Sequence, residues 1–165
     1  MTSWLVLFGL GLGIAHAQSY LYFTFDPPGS TGTMVSGINN SGQMVGIYQD
    51  SAGWHSFLRS SDGATYTVIS VPGASQTIAS GINNLGQVVG QAAVPDGSQH
   101  AFLYHNGMMT DLNDLVTLTS TNGPAGFLAL SVANGINHRE QIVGTGTYWD
   151  GANVTTRAFL LNLKP

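Results

Sequence analysis

Along most of the chain, apolar residues come in short alternating runs that Asn, Gly, Pro or Asp cut every few positions. Between residues 77 and 115, the run Thr77–Ile82 meets Asn83-Asn84-Leu85-Gly86, and the run Gln87–Val94 ends at Pro95-Asp96-Gly97. His100–Tyr104 then leads to His105-Asn106-Gly107, and Met108–Leu115 follows. Period-two runs bounded by such residues predict strands, and Asn and Gly supply the positive φ that tight hairpin turns need. The stretch therefore reads as an antiparallel meander of four strands. In Met44–Tyr48, alternation puts Val45 and Ile47 on one face and Met44, Gly46 and Tyr48 on the other. Both faces are apolar, so each sheet is expected to be covered on both sides.

The pattern repeats. Gly37-Ile38-Asn39-Asn40-Ser41-Gly42-Gln43-Met44-Val45-Gly46 returns after 44 residues as Gly81-Ile82-Asn83-Asn84-Leu85-Gly86-Gln87-Val88-Val89-Gly90. It returns again after 54 as Gly135-Ile136-Asn137-His138-Arg139-Glu140-Gln141-Ile142-Val143-Gly144. Each copy is followed by a second block: His55-Ser56-Phe57-Leu58-Arg59, His100-Ala101-Phe102-Leu103-Tyr104 and Arg157-Ala158-Phe159-Leu160-Leu161. A third block, Pro28-Gly29-Ser30, recurs as Pro72-Gly73-Ala74. Self-similarity at such periods signals a repeat architecture. Glu140 replaces the turn glycine of the other copies; a side chain in a left-handed position there costs roughly 1 kcal/mol. An insertion, Thr119–Leu130, lengthens the last linker.

The expected fold is all-β: three four-stranded antiparallel repeats, over about 28–71, 72–118 and 119–165, within a domain of residues 18–165. Four-stranded units stacked face to face suggest a β-propeller-like array, either a partial propeller or a three-sheet prism. Residues 20–27, with Phe23-Thr24-Phe25-Asp26, precede the first Pro-Gly block as Val68–Val71 precede the second. They are expected to form a strand that completes the last sheet beside Ala158–Leu161 and hides two edges. The alternative is a homodimer of six blades, with that strand donated across the interface.

The motifs Gly-Ile-Asn-Asn-x-Gly-Gln-Val-Val-Gly and His-Ala-Phe-Leu-Tyr resemble those of the bacterial extracellular HAF repeat family. The resemblance spans Phe23 to Leu161 and implies export and a propeller-like array; the family carries no general biochemical assignment. Ser56, Glu140 and Arg157 depart from its pattern.

Composition narrows the function. The 165 residues include 4 Lys+Arg and 8 Asp+Glu, a net charge of −4 that excludes a phosphate-tracking nucleic-acid binder. There is no cysteine, hence no disulfide, thiolate metal site or cysteine nucleophile. Trp4–Ile14 is an apolar run ending in Ala15-His16-Ala17, the pattern of a secretory signal peptide over residues 1–17. As a helix it reaches only roughly 16 Å, short of a bilayer core of about 30 Å, so no membrane anchor is expected in the mature chain. The expected location is secreted, extracellular or periplasmic.

No nucleophile elbow, P-loop, H-E-x-x-H or calcium-loop spacing occurs. His55 and His100 hold equivalent positions, but the third equivalent is Arg157, so structural or capping roles are expected rather than metal ligation. Asp111 and Asp114 are expected to protect a strand edge or cap a turn rather than act as an acid–base pair. Asn39, Asn83 and Asn137 are expected to form turns. The candidate binding residues are Tyr48, Asp50 and Trp54 in the first repeat and Tyr148, Trp149 and Asp150 in the third. Aromatic faces beside carboxylates suit sugar rings. Packing of the strand ends is the other role open to these aromatics. The sequence thus points to an exported, non-catalytic β-repeat module for binding or surface interaction, with an unidentified extracellular ligand for which a glycan is the candidate, and no cofactor. Its rivals are a secreted hydrolase acting on polysaccharide and a remnant of a longer repeat protein.

Overall fold

The computed structural model describes residues 20–162, so the expected leader and its cleavage site lie outside the described residues. The first sheet is a meander of β1 (Gly32–Ile38), β2 (Met44–Asp50), β3 (Gly53–Arg59) and β4 (Tyr66–Ile69). The second is the same meander of β5 (Gln76–Ile82), β6 (Val88–Ala93), β7 (Gln99–His105) and β8 (Met108–Asp111). The third has three strands, β9 (Gly126–Ile136), β10 (Ile142–Trp149) and β11 (Val154–Leu161), in the order β11-β10-β9. All pairings are antiparallel. The all-β expectation holds, and no described helix is long and apolar enough to cross a membrane.

Two expectations need correction. Residues 20–27 form no strand; they do not complete the last sheet, and β11 pairs only with β10 among the described residues. Phe25 instead lies against the first sheet, its ring 4.7 Å from the Arg59 guanidinium carbon. That contact gives the segment a cation–π partner but no backbone ladder. The run Met108–Leu115 is also not one strand. Asp111 accepts a hydrogen bond from the Asn113 backbone N–H, and this cap turns Leu112–Leu115 into a 3-10 helix.

The sheets stack in chain order through two cores. Each sheet has a rear face, turned toward the preceding sheet, and a forward face, turned toward the next. Val45 and Ile69 on the forward face of the first sheet meet Ala79, Ile82, Val88, Ala92 and Phe102 of the second. On the other side of the second sheet, Val89, Ala101 and Leu112 meet Leu130, Ala133, Ile142 and Phe159 of the third. Adjacent positions such as Val88 and Val89, each fully buried, thus enter different cores, as strand alternation requires. Coverage on both faces holds for the middle sheet alone.

A β-bulge recurs in β1 and β5, where the register shifts between Val35 and Gly37 and between Ala79 and Gly81. It drives a carbonyl toward the facing glycine. A Cβ on Gly90 would stand 2.0 Å from the Ile78 carbonyl oxygen, and one on Gly46 2.0 Å from that of Met34. The glycine ending each motif is therefore required by the bulge opposite it. Ser56, where the second repeat has Ala101, has polar partners of its own in the second sheet. Its buried hydroxyl donates to the Thr77 carbonyl at 2.8 Å and accepts from the Ala79 N–H at 2.8 Å, joining the first two sheets.

Candidate functional site

The three motif turns close in the same way. Asn39 Oδ1 accepts from the backbone N–H groups of Ser41 and Gln43 at 3.1 and 3.0 Å. Asn83 Oδ1 does so from Leu85 and Gln87, and Asn137 Oδ1 from Arg139 and Gln141. These side chains form turns, as expected, and they also link the sheets. Asn39 Nδ2 donates to the Asn83 carbonyl at 3.0 Å, and Asn83 Nδ2 donates to the Asn137 carbonyl at 3.0 Å. The result is a ladder of asparagines along one end of the stack.

Beside the last rung, the second and third sheets diverge into a cleft of about 610 Å³. Leu103 and Leu112 wall it on one side, Ile142 and Leu161 on the other, and Leu115 and Val116 after β8 also line it. Its polar groups gather at the ladder end. Gln87 Nε2 donates to Glu140 Oε2 at 2.8 Å, and Gln141 Nε2 donates to Asn162 Oδ1 at 2.7 Å nearby. Glu140 is the only glutamate of the chain and sits at φ 60, where the other two turns have glycine at φ 83 and φ 78. The departure from glycine thus places a carboxylate at the rim of an apolar cleft. Sequence reading flagged Glu140 as a strained turn residue and missed the cleft; its signal was the chain's sole glutamate falling at a left-handed turn position.

The sequence-selected aromatic and acidic residues take other places. Tyr48 and Asp50 lie on the rear face of the first sheet, where Tyr48 stacks against His55 with ring centroids 5.2 Å apart. Asp50 Oδ1 accepts from the Ala52 and Gly53 N–H groups and meets His55 Nε2 at 3.0 Å. The Ala52 bond first, and His55 after it, hold the Asp50 carboxyl below its ordinary value. Trp54, across from Gln49, lies on the opposite face and is 42% exposed. Tyr148 packs edge-on against Phe127 at 5.2 Å, Trp149 is half-buried, and Asp150 caps a turn at Ala152 and Asn153. The middle sheet stands between the two groups, so the fold does not join the six residues into one surface.

The histidines likewise stay in separate sheets. His100 Nδ1 lies 2.5 Å from Asp111 Oδ2, and Asn113 bonds both to Asp111 and to the Leu130 backbone. Burial raises the Asp111 carboxyl, but the bonds from His100 and Asn113 outweigh it, and the group falls below its ordinary value. Asp111 is thus a cap and a junction between the middle and third sheets, while Asp114 is exposed. Among the described residues, no group of three or more His, Asp or Glu side chains converges as metal ligands would. No family model matches the chain, and no curated protein and no solved structure is significantly similar to it.

Proposed function

We propose that the protein is an exported, non-catalytic binding module whose three sheets are arranged as blades of a partial propeller. Export follows from the apolar leader, and the blade reading from the HAF-like motifs together with the serial stacking of the sheets. The cleft between the second and third sheets carries the binding reading. An apolar hollow with a few polar groups gathered at one rim is the usual form of a small-molecule site. Aliphatic walls and a rim of amide and carboxylate suit an amphipathic ligand with a hydrogen-bond donor at one end.

A fragment screen followed by amide chemical shifts tests this. The expected hits move Leu103, Leu112, Leu115, Ile142 and Leu161 together, and Leu115→Glu, at a position 61% exposed, abolishes the response without unfolding. Shifts scattered over the surface, or unchanged by that substitution, overturn the assignment. A second reading keeps a glycan at Trp54, whose exposed ring offers a flat apolar contact beside polar turns. Retention on insoluble polysaccharide should fall about tenfold in Trp54→Ala, the size of one lost aromatic contact of roughly 1.4 kcal/mol. Retention that persists in the Trp54→Ala/Trp149→Ala double variant removes the glycan site. Release of sugars by the wild-type protein would favour the hydrolase instead.

A further inference from the structure

The two end sheets leave open several of the positions that the inner interfaces bury, while Phe57 on the rear face of the first sheet is buried like its equivalent Phe102. On the rear face, Ile82 of the middle sheet is 8% exposed, while its equivalent Ile38 in the first sheet is 61% exposed. Ala79 is 1% exposed and its equivalent Val35 is 47%. On the forward face, Val45 and Val89 are fully buried, while Val143 of the third sheet is 47% exposed and Leu160 is 55%. A shallow groove on this last face is lined by Gly135, Val143 and Leu160, with Asn137 and Gln141 at its edge. The first and third sheets therefore present complementary halves of the contact that is already made twice inside the chain.

The hydrogen-bond ladder is unfinished in the same sense. Asn39 and Asn83 each donate Nδ2 to the next motif's carbonyl, whereas Asn137 Nδ2 is exposed and, among the described residues, bonds to Gln141 Oε1 alone, at 2.7 Å. The Asn83 and Asn137 carbonyls each accept both the turn bond and the preceding asparagine. The Asn39 carbonyl takes its turn bond from Gly42 and is the one rung acceptor with no asparagine behind it.

The segment before β1 points the same way. Tyr22–Phe25 stands 44 residues before β4, and the turn after each is alike: Ser30 N–H donates to the Pro27 carbonyl and Ala74 N–H to the Val71 carbonyl, both at 3.1 Å. The chain passes from β4, the outer strand of one sheet, into β5, which opens the next. By that connection Tyr22–Phe25 has the place of an outer strand belonging to a sheet behind the first. It is positioned for that already. Phe25, the equivalent of Ile69, lies on Arg59, whose equivalent Tyr104 packs on the core that contains Ile69. Tyr22 and Phe23 are 92% and 83% exposed.

We propose that a second copy of this chain docks head to tail, the forward face of each third sheet against the rear face of the other's first sheet. Asn137 donates to the partner copy's Asn39 carbonyl, and Tyr22–Phe25 adds to β11 as the fourth strand of the third sheet. Ser56 pairs with Ile69, so the equivalent register sets Ala158 opposite Phe25. Head-to-tail contacts either close into a ring or run on as a filament. Propellers hold about four to eight blades, so two copies of three sheets fall within the range that closes.

Light scattering of the purified protein should give twice the mass of one chain. Ile38→Glu and Val143→Glu, each at a side chain that water already reaches, should each yield a monomer with an unchanged circular dichroism spectrum. Mixed in equal amounts, the two variants should recover a dimer, because one intact forward face meets one intact rear face. Removal of residues 20–26 should weaken the dimer at least about tenfold in Kd and leave the denaturant midpoint of the monomeric Ile38→Glu variant in place. A wild-type monomer, a mass above two copies, or variants that fail to complement each overturn the proposal. These readouts are independent of ligand binding in the cleft.

Discussion

Asn83 and Asn137 make the same turn, with the same pair of backbone bonds to the side-chain oxygen and the same amide bond to a glutamine. Yet Asn83 is 4% exposed under its neighbours, while Asn137 stands in water. The turn is a property of the local sequence; the energy that rides on it is set by what the stack places above. A buried polar group left unpaired forfeits its full desolvation cost, whereas an exposed one is resupplied by solvent.

The largest effect should come from removing the buried member. Asn83→Ala strands two turn N–H groups and the Gln87 side chain beneath the stack, and removes the rung to Asn137. It should cost about 3 kcal/mol, while Asn137→Ala in the unassembled chain should cost about 1 kcal/mol. Denaturant midpoints of the two variants, measured in the monomeric Ile38→Glu background, check the ratio. Equal losses would mean that the turn and not the stack carries the stability.

A smaller effect sharpens the contrast between the glycine turns and the third. Glu140→Gly relieves the left-handed backbone, worth about 1 kcal/mol, but removes the acceptor of the largely buried Gln87 side chain. In the Gln87→Ala background the first term stands alone, so Glu140→Gly should stabilise by about 1 kcal/mol there and by much less in the wild type. A double-mutant cycle reads the coupling directly. Additive effects would show that the contact across the cleft rim is worth nothing.

The smallest effect concerns acid. Asp111 has a folded value below the ordinary 3.8, so the unfolded chain takes up the proton first as pH falls. Its contribution is whole above that ordinary value and is lost as pH drops through it toward the folded one. Asp111→Asn should flatten the fall in stability below about pH 4, since no carboxylate remains there to titrate. Asp50, lowered chiefly by its own turn, binds within one sheet, so Asp50→Asn should flatten that fall without loosening the junction to the third sheet. Amide exchange at Leu130, whose N–H bonds to Asn113 beside Asp111, separates the two cases.

The sequence intervals explain how much was readable in advance. The two rungs of the asparagine ladder join residues 44 and 54 apart, the same intervals at which the motif recurs. Periodicity therefore identified the equivalent residues, the meander of the middle repeat and the odd glutamate. It could not say what lies across from an equivalent position. The rung bonds, the Ser56 bridge and the cleft all depend on the approach of a neighbouring sheet, which no window of one strand encodes. The run after Met108 failed for a local reason: its Asp-Leu-Asn-Asp cap competes with the strand pattern and wins. Phe23–Asp26 carries a strand's pattern, but backbone pairing needs a partner edge, and its own third sheet is separated from it by the other two.

The ladder also has a genetic consequence. Asn83 gives a bond onward and receives one from behind, so a unit of one motif spacing in the middle of the stack is complete in its obligations at both boundaries. Duplicating or deleting a whole unit in the coding sequence regenerates the same donor at one boundary and the same acceptor at the other. An insertion between a motif asparagine and its glutamine instead breaks the turn that holds the asparagine side chain in place. Lineages of such a chain should therefore differ in length by integral repeats, with odd lengths absorbed in linkers such as Thr119–Leu130 and not between a motif asparagine and its glutamine.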